Sequence, residues 1–259
     1  MTESHGKTVL VTGAGRGIGK AIALAFAAEK NRVVITGRTA TALEQVAAEI
    51  RATGTEVLAS ACDVTQKPQV QNLQHEIEKH FGAVQVLVNN VGIAPAAGFL
   101  EMPDDLWDEV MRVNVKAAYH CCRSFLSAMV DARWGRVINI ASTVARVTYP
   151  GISAYATSKH AILGLTRSLA METARSGVTV NAVCPGYVNT ELTRENARRL
   201  AEKRGQSLEE ALASMAASCP QRRLIEPEEV AYVTLMLASE RAGGITGQAI
   251  QVDGGAVMA

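Results

Sequence analysis

Short apolar runs and helical stripes alternate along most of the chain. Residues 8–12 form a β-branched and apolar run that ends in glycines, and Ile18, Ile22, Ala25 and Phe26 then recur at helical spacing before a second apolar run over 32–36. That is one strand–helix–strand unit. The rhythm continues with a helical pattern over 43–50, a strand over 57–64, a helix over 70–81 and a strand with few polar residues over 84–92. A helix from about Asp104, a strand over 136–142, a helix around Tyr155, a strand over 178–186, a helix after Pro227 and a strand over 249–255 complete it. Strands without polar alternation, separated by helices, predict a parallel sheet covered on both faces. The fold class is therefore α/β, a doubly wound Rossmann-type sheet.

One stretch breaks the alternation. Residues 187–226 carry their own helical pattern, with Leu192, Leu200, Leu208, Leu212 and Met215 apolar, between a strand and the last helix. A helical excursion at a strand end is suited to a lid over a substrate crevice, the alternative being a surface helical hairpin without a ligand. The 259 residues then read as one domain spanning 1–259.

Composition narrows the function classes. Hydrophobic residues make up 48% and charged residues 20%, which supports a large core and argues against disorder. The formal net charge of +1 gives no global field for nucleic acid or an acidic membrane surface, so a small-molecule ligand is expected. The five cysteines (Cys62, Cys121, Cys122, Cys184, Cys219) form no C-x-x-C pair and read as reduced, buried thiols. His75, His80, His120 and His160 lack metal-ligand spacing, so no metal is expected. The N-terminal MTESHGK has no targeting signature, and the apolar run 21–28 is too short to span a bilayer, so a cytoplasmic location is expected.

The first strand runs into a glycine-rich turn from Thr12 to Gly19. Glycines 13, 17 and 19 let the backbone approach a pyrophosphate, whose charge suits the amides and dipole at the start of the next helix. The usual G-x-G-x-x-G spacing is absent, so the evidence for a dinucleotide site is the strand before and the helix after. At the end of the second strand Gly37 supplies no carboxylate for a ribose 2′-hydroxyl. Arg38 and Arg16 can bind a 2′-phosphate, which favours NADP(H) over NAD(H), although Arg38 could instead stack on adenine or point to solvent.

Tyr155 and Lys159 stand four residues apart on a helical segment, so about 6 Å of rise leaves them on one face. An ammonium about 5 Å from a phenol, at an effective dielectric near 20, favours the phenolate by roughly 3 kcal/mol, or about 2.4 pKa units. That brings a sluggish base toward neutral pH.

In chain order, these features resemble the compact branch of the short-chain dehydrogenase/reductase family. The residues that carry the resemblance are the turn from Thr12 to Gly19, Asp63 with Val64, the run Asn89, Asn90, Val91 and Gly92, then Asn114, Ser142, Tyr155 with Lys159, and Pro185 and Gly186 with Thr190. The match runs from about residue 8 to 255, and Val91 stands where the family usually has alanine. It implies that Tyr155 is the acid in reduction and the base in oxidation, that Lys159 also binds the nicotinamide ribose, that Ser142 holds the substrate oxygen, and that Asn114 binds a water linking Lys159 to solvent. It places Asp63 and Val64 at the adenine, Asn89 and Gly92 along the adenosine ribose and sheet edge, and Pro185, Gly186 and Thr190 at the nicotinamide, with Gly13, Arg16, Gly17, Ile18, Gly19, Arg38 and Val188 as further cofactor positions. Taken singly, Ser142 could be a turn cap, Asn114 a helix-kink partner, Asp63 an N-cap and Thr190 a cap of the lid helix.

The expected activity is reduction of a 3-oxoacyl thioester or related ketone with NADP(H), reversible as an alcohol dehydrogenase. An NAD-dependent dehydrogenase of a 3-hydroxy acid or cyclic alcohol is the alternative. A nucleotide sensor that had lost the chemistry should lack one of Asn114, Ser142, Tyr155 or Lys159, and all four are present. Arg194, Arg198, Arg199, Lys203 and Arg204 on the lid, with Arg133, Arg136 and Arg175, could receive the phosphates of coenzyme A or a carrier group; a solvated face paired with Glu191, Glu195 and Glu202 is the plainer reading. The family is commonly homotetrameric through the helices holding residues 104–129 and 155–171 and through the C-terminal segment.

Overall fold

The computed structural model describes residues 6–258; the first five residues of the N-terminal segment examined for targeting lie outside them. Among the described residues, β1 (Thr8–Thr12), β2 (Arg32–Gly37), β3 (Val57–Ala61), β4 (Val86–Asn89), β5 (Gly135–Ile140), β6 (Val178–Pro185) and β7 (Ala249–Val252) form one sheet. Its order is β3-β2-β1-β4-β5-β6-β7, and every pairing is parallel. This is the doubly wound arrangement expected from the apolar runs. The order reverses between β1 and β4, and in such sheets a crevice opens at that point beyond the carboxyl ends of the strands.

Burial of both faces explains why the middle of β1, Val9 to Val11, is apolar without alternation. Val9 and Val11 point to a layer containing α1 (Gly17–Ala28), α2 (Ala40–Ala52) and the last helix, and Leu10 points to the opposite layer. The first layer is packed through Ile22, Phe26, Leu43, Ile50, Val230 and Leu237. The second layer holds α3 (Lys67–Phe81), packed through Val70, Leu73 and Ile77, together with Phe125 and Met129. Each such side chain, fully buried, stabilises the fold by about 1.5–3 kcal/mol. Pro227 at the start of the last helix gives up an amide hydrogen that has no intrahelical partner there anyway.

The helix expected from Asp104 is not continuous. It runs as α4 (Asp104–Met111), opens into a π turn over Arg112–Lys116, and resumes as α5 (Ala117–Asp131). Asn114 sits in that widened turn, and Tyr155 lies in the first turn of α6 (Ser153–Thr173). The segment 187–226 leaves and rejoins the body at one place, where Val188 pairs with Ile225 and backbone bonds of 2.9 and 2.8 Å tie Ile225 to Tyr187 and Asn189. Between those points α7 (Glu191–Arg204) and α8 (Leu208–Ala217) pack on each other through Ala197, Ala201, Ala211 and Met215, with Leu200, Leu208 and Leu212 against them. Leu192 is 39% exposed and takes no part in that cluster. α9 (Pro227–Ala238) follows and returns to the first layer.

Candidate active site

The glycine turn joins β1 to α1 at the switch point. Gly13 has φ +66° and Gly17 φ +55°, a region that costs a side-chain-bearing residue energy. Gly19 is needed for space: a Cβ there would collide with the Gly13 carbonyl oxygen and the Asn90 amide. Asn90 Nδ2 donates to the carbonyls of Thr12 and Gly13 at 3.0 and 3.2 Å, so the end of β4 clasps the turn. Arg16, the residue before α1, offers no side-chain cap to the helix amides. Those amides and the helix dipole therefore suit an anion such as a pyrophosphate, and a dinucleotide fits this cradle.

Around the end of β5 the four candidate catalytic side chains come together. Lys159 is 5% exposed and its Nζ donates a 2.9 Å hydrogen bond to the Ile140 carbonyl. The same Nζ lies 5.8 Å from the centre of the Tyr155 ring. Burial lowers the Lys159 pKa from 10.5 to about 8. Burial raises that of the Tyr155 phenol, against the pull of a hydrogen bond with Ser142. Desolvation, which the spacing of the two residues does not carry, is here the largest influence on both groups and reverses the expected fall of the phenol pKa. At neutral pH the phenol keeps its proton.

Ser142 Oγ also accepts from Val144 N at 3.3 Å, so the residue is both a turn cap and a neighbour of Tyr155. Asn114 Oδ1 accepts from Ile93 N at 2.8 Å, while Nδ2 donates to Ile93 O and to Ser158 Oγ, both at 2.9 Å. Gly92 stands where a Cβ would lie 3.4 Å from both Asn114 Oδ1 and Lys159 Nζ.

The cofactor positions at the crevice rim are held by ordinary local bonds. Asp63 Oδ1 accepts from Thr65 N at 3.0 Å, a turn rather than a helix cap, and neighbouring Val64 is buried. Thr190 caps α7 by accepting from Thr193 N at 3.4 Å, and a Cβ on Gly17 would touch its methyl group, so the start of α7 approaches the glycine turn. Ile18 packs against the core, and Val188, at the base of the segment 187–226, is buried in the same cluster. Beyond Pro185 the Gly186 turn backs onto Asp253, where a Cβ would fit only tightly, 3.1 Å from the Asp253 side chain. Arg38 is exposed just past β2, and Gly15 faces Ala42 of α2, which brings the start of α2 beside the glycine turn.

A family model described as short chain dehydrogenase matches residues 7–201. The chain belongs to the short-chain dehydrogenase family. It is 37% identical to the 3-oxoacyl-acyl-carrier-protein reductase of Pseudomonas aeruginosa, covering 98% of each chain. It is 34% identical to the D-beta-hydroxybutyrate dehydrogenase of Cupriavidus necator, covering 97% of this chain and 98% of that one. A crystal structure of a variant of actinorhodin polyketide ketoreductase with NADPH superposes with a TM-score of 0.94 at 34% identity, over 99% of both chains.

Within this short-chain dehydrogenase several sequence expectations change. The Asn89 side chain lines a cavity with Thr12, Val64 and Asn114, and its Nδ2 donates inward to Asn139 Oδ1 at 2.8 Å and to Cys122 Sγ at 3.4 Å. Adjacent strand residues face opposite sides, so it is Asn90 that reaches the glycine turn. Arg133, Arg136 and Arg175 lie at the other end of the sheet from Ser142, near the beginnings of β5 and β6, and are no part of a phosphate path into the crevice. Arg136 is 3% exposed and donates to the carbonyls of Gly135, Gly177 and Ser239. On the lid, Arg198 pairs with Glu191 at 2.8 Å and Arg194 donates to Asn189, as expected of a solvated face. Arg16 meets Glu195 of α7 at 3.4 Å. Asn90 and Ser158 went unrecognised as site residues; the doubled asparagine was the available signal for the first. All five cysteines are free and buried.

Proposed function

We propose that this short-chain dehydrogenase is an NADP(H)-dependent reductase of a 3-oxoacyl thioester or a related ketone, built as one domain whose segment 187–226 closes over the substrate. The observation that carries the reading is the Tyr155 phenol, kept protonated by burial, with Ser142 beside it and faced by Lys159. A phenol in that state is a proton donor for an oxygen that gains negative charge as a carbonyl is reduced. Ser142 supplies a second hydrogen bond to the same oxygen, and both donors are in place before charge develops. Lys159, anchored by Ile140, keeps positive charge beside them below about pH 8. Bound NADPH would supply the hydride to the carbonyl carbon.

Gly13, Gly17, Ile18, Gly19, Asp63, Val64, Gly92, Pro185, Gly186, Val188 and Thr190 are the cofactor contacts, with Arg16 and Arg38 for a 2′-phosphate. Gly37 places no carboxylate at the end of β2, and the ketoreductase of matching fold is an NADPH complex; both support NADP(H). The two reductases among the relatives support ketone reduction, whereas the hydroxybutyrate dehydrogenase supports the second reading, an NAD-dependent 3-hydroxy acid dehydrogenase. Tyr119 and Met171, 50% and 80% exposed on α5 and α6, support association through those helices into a homotetramer. Buried free thiols and the lack, among the described residues, of a helix able to cross a membrane support a cytoplasmic setting.

The test is oxidation of NADPH with acyl-CoA, cyclic and aromatic ketones. Turnover is expected with at least one of them, with a fall of about 100-fold or more in Tyr155→Phe. No turnover on the whole panel, or an unchanged rate in the variant, overturns the enzyme. Arg38→Asp should reverse the preference for NADPH over NADH; equal affinities in the wild type remove the cofactor choice.

A further inference from the structure

The π turn and the catalytic turn of α6 are joined inside the fold by a single hydroxyl. Ser158 has no exposed surface; it donates a 2.7 Å hydrogen bond to the Tyr155 carbonyl and accepts a 2.9 Å bond from Asn114 Nδ2. A serine bonded only to a carbonyl one turn back would be a local helix feature. Its second bond, to a residue 44 positions away, makes it a link between elements.

That link adds a third bond to the two with Ile93 that set which way the Asn114 amide points. One Nδ2 hydrogen goes to Ser158 and the other to Ile93 O, while Oδ1 takes Ile93 N. The same oxygen and Lys159 Nζ flank Gly92 from a common spot 3.4 Å from each. A reversed amide would turn N–H groups toward the ammonium, and in a buried setting that exchange of attraction for repulsion is poorly screened.

We propose that Ser158 is a positioning residue, which holds the Asn114 amide with its oxygen toward Lys159 and ties the Tyr155 turn of α6 to the π turn. This rests on the proposed function for its catalytic consequence. The titratable groups recorded around Lys159 are Cys184 of β6 and, one turn back on its own helix, Tyr155; substitution of Ser158 changes neither.

The experiment compares Ser158→Ala and Ser158→Thr with the wild type. Direct NMR titration of the Lys159 side chain should give a lower pKa in Ser158→Ala than the value near 8 of the parent, and Ser158→Thr, which keeps the hydroxyl, should restore it. In turnover, kcat of Ser158→Ala should fall roughly 10-fold with KM unchanged, and its alkaline limb should move to lower pH. A Lys159 titration unmoved in a folded Ser158→Ala protein overturns the inference even if kcat falls. Should the threonine variant fail to fold, the alanine titration decides alone. A wild type inactive on every ketone would instead strike the proposed function, and the titration would still decide the role of Ser158.

Discussion

Lys159 faces the Tyr155 ring with its Nζ 5.8 Å from the ring centre, yet the hydrogen bond of that ammonium goes to the backbone of β5 at Ile140. The cation is thus fixed by the sheet and meets Tyr155 only across the face of its ring. Its burial has a stability consequence. The folded-state pKa, about 8, lies below the unfolded value of 10.5, so the unfolded chain binds more protons between those limits and stability rises with pH across that window. Below about pH 8 the full penalty is present, on the order of 3 kcal/mol. Lys159→Met should therefore be more stable than the wild type at pH 7 by about 2 kcal/mol, after loss of the Ile140 bond. The advantage should vanish by about pH 10.5. Denaturant unfolding at the two pH values checks this, and a variant less stable at pH 7 contradicts the desolvation account.

Gly19→Ala tests the glycine turn. Its Cβ meets the Gly13 carbonyl oxygen and the Asn90 amide, so the clasp from β4 must open. Overpacking of this kind costs about 1–3 kcal/mol. NADPH affinity, measured by calorimetry, should fall by roughly 10-fold or more because the anion-binding amides are displaced. Undiminished affinity would mean that the turn is not the pyrophosphate cradle.

Arg136 separates a structural cation from a substrate-binding one. Its guanidinium serves three carbonyls at the amino-terminal end of the sheet and lies over the Trp134 ring at 4.6 Å. Arg136→Met keeps the apolar stem and strands those carbonyls, so a loss of about 2 kcal/mol of stability with unchanged kcat and KM is expected. A selective rise in KM for acyl-CoA, with stability intact, would restore Arg136 to the substrate path.

How much of this was legible in the sequence depends on the range of the interaction. The pairing of Tyr155 with Lys159 is a matter of helix pitch, and the one-faced glycine turn is a matter of backbone sterics, so both could be read locally. The helical excursion over 187–226 could be located because its apolar residues follow their own helical period, although Leu192 proved to lie outside its small core. The widened turn at Asn114 left no sequence mark, since a π turn is stabilised by what it reaches, here Ile93 and Ser158. For Asn89 and Asn90 the alternation was predictable, but which of the two clasped the glycine turn was not.

By itself, then, the sequence determined a parallel α/β sheet and the order of its chemical groups, because strand and helix periods and short spacings are properties of neighbouring residues. Only the tertiary structure decided that Lys159 is desolvated, that Arg16 meets α7, that Arg136 braces the far end of the sheet and that Ser158 bonds Asn114. Each of those depends on segments tens of residues apart being packed together, where burial and hydrogen-bond geometry fix the charge and direction of a side chain.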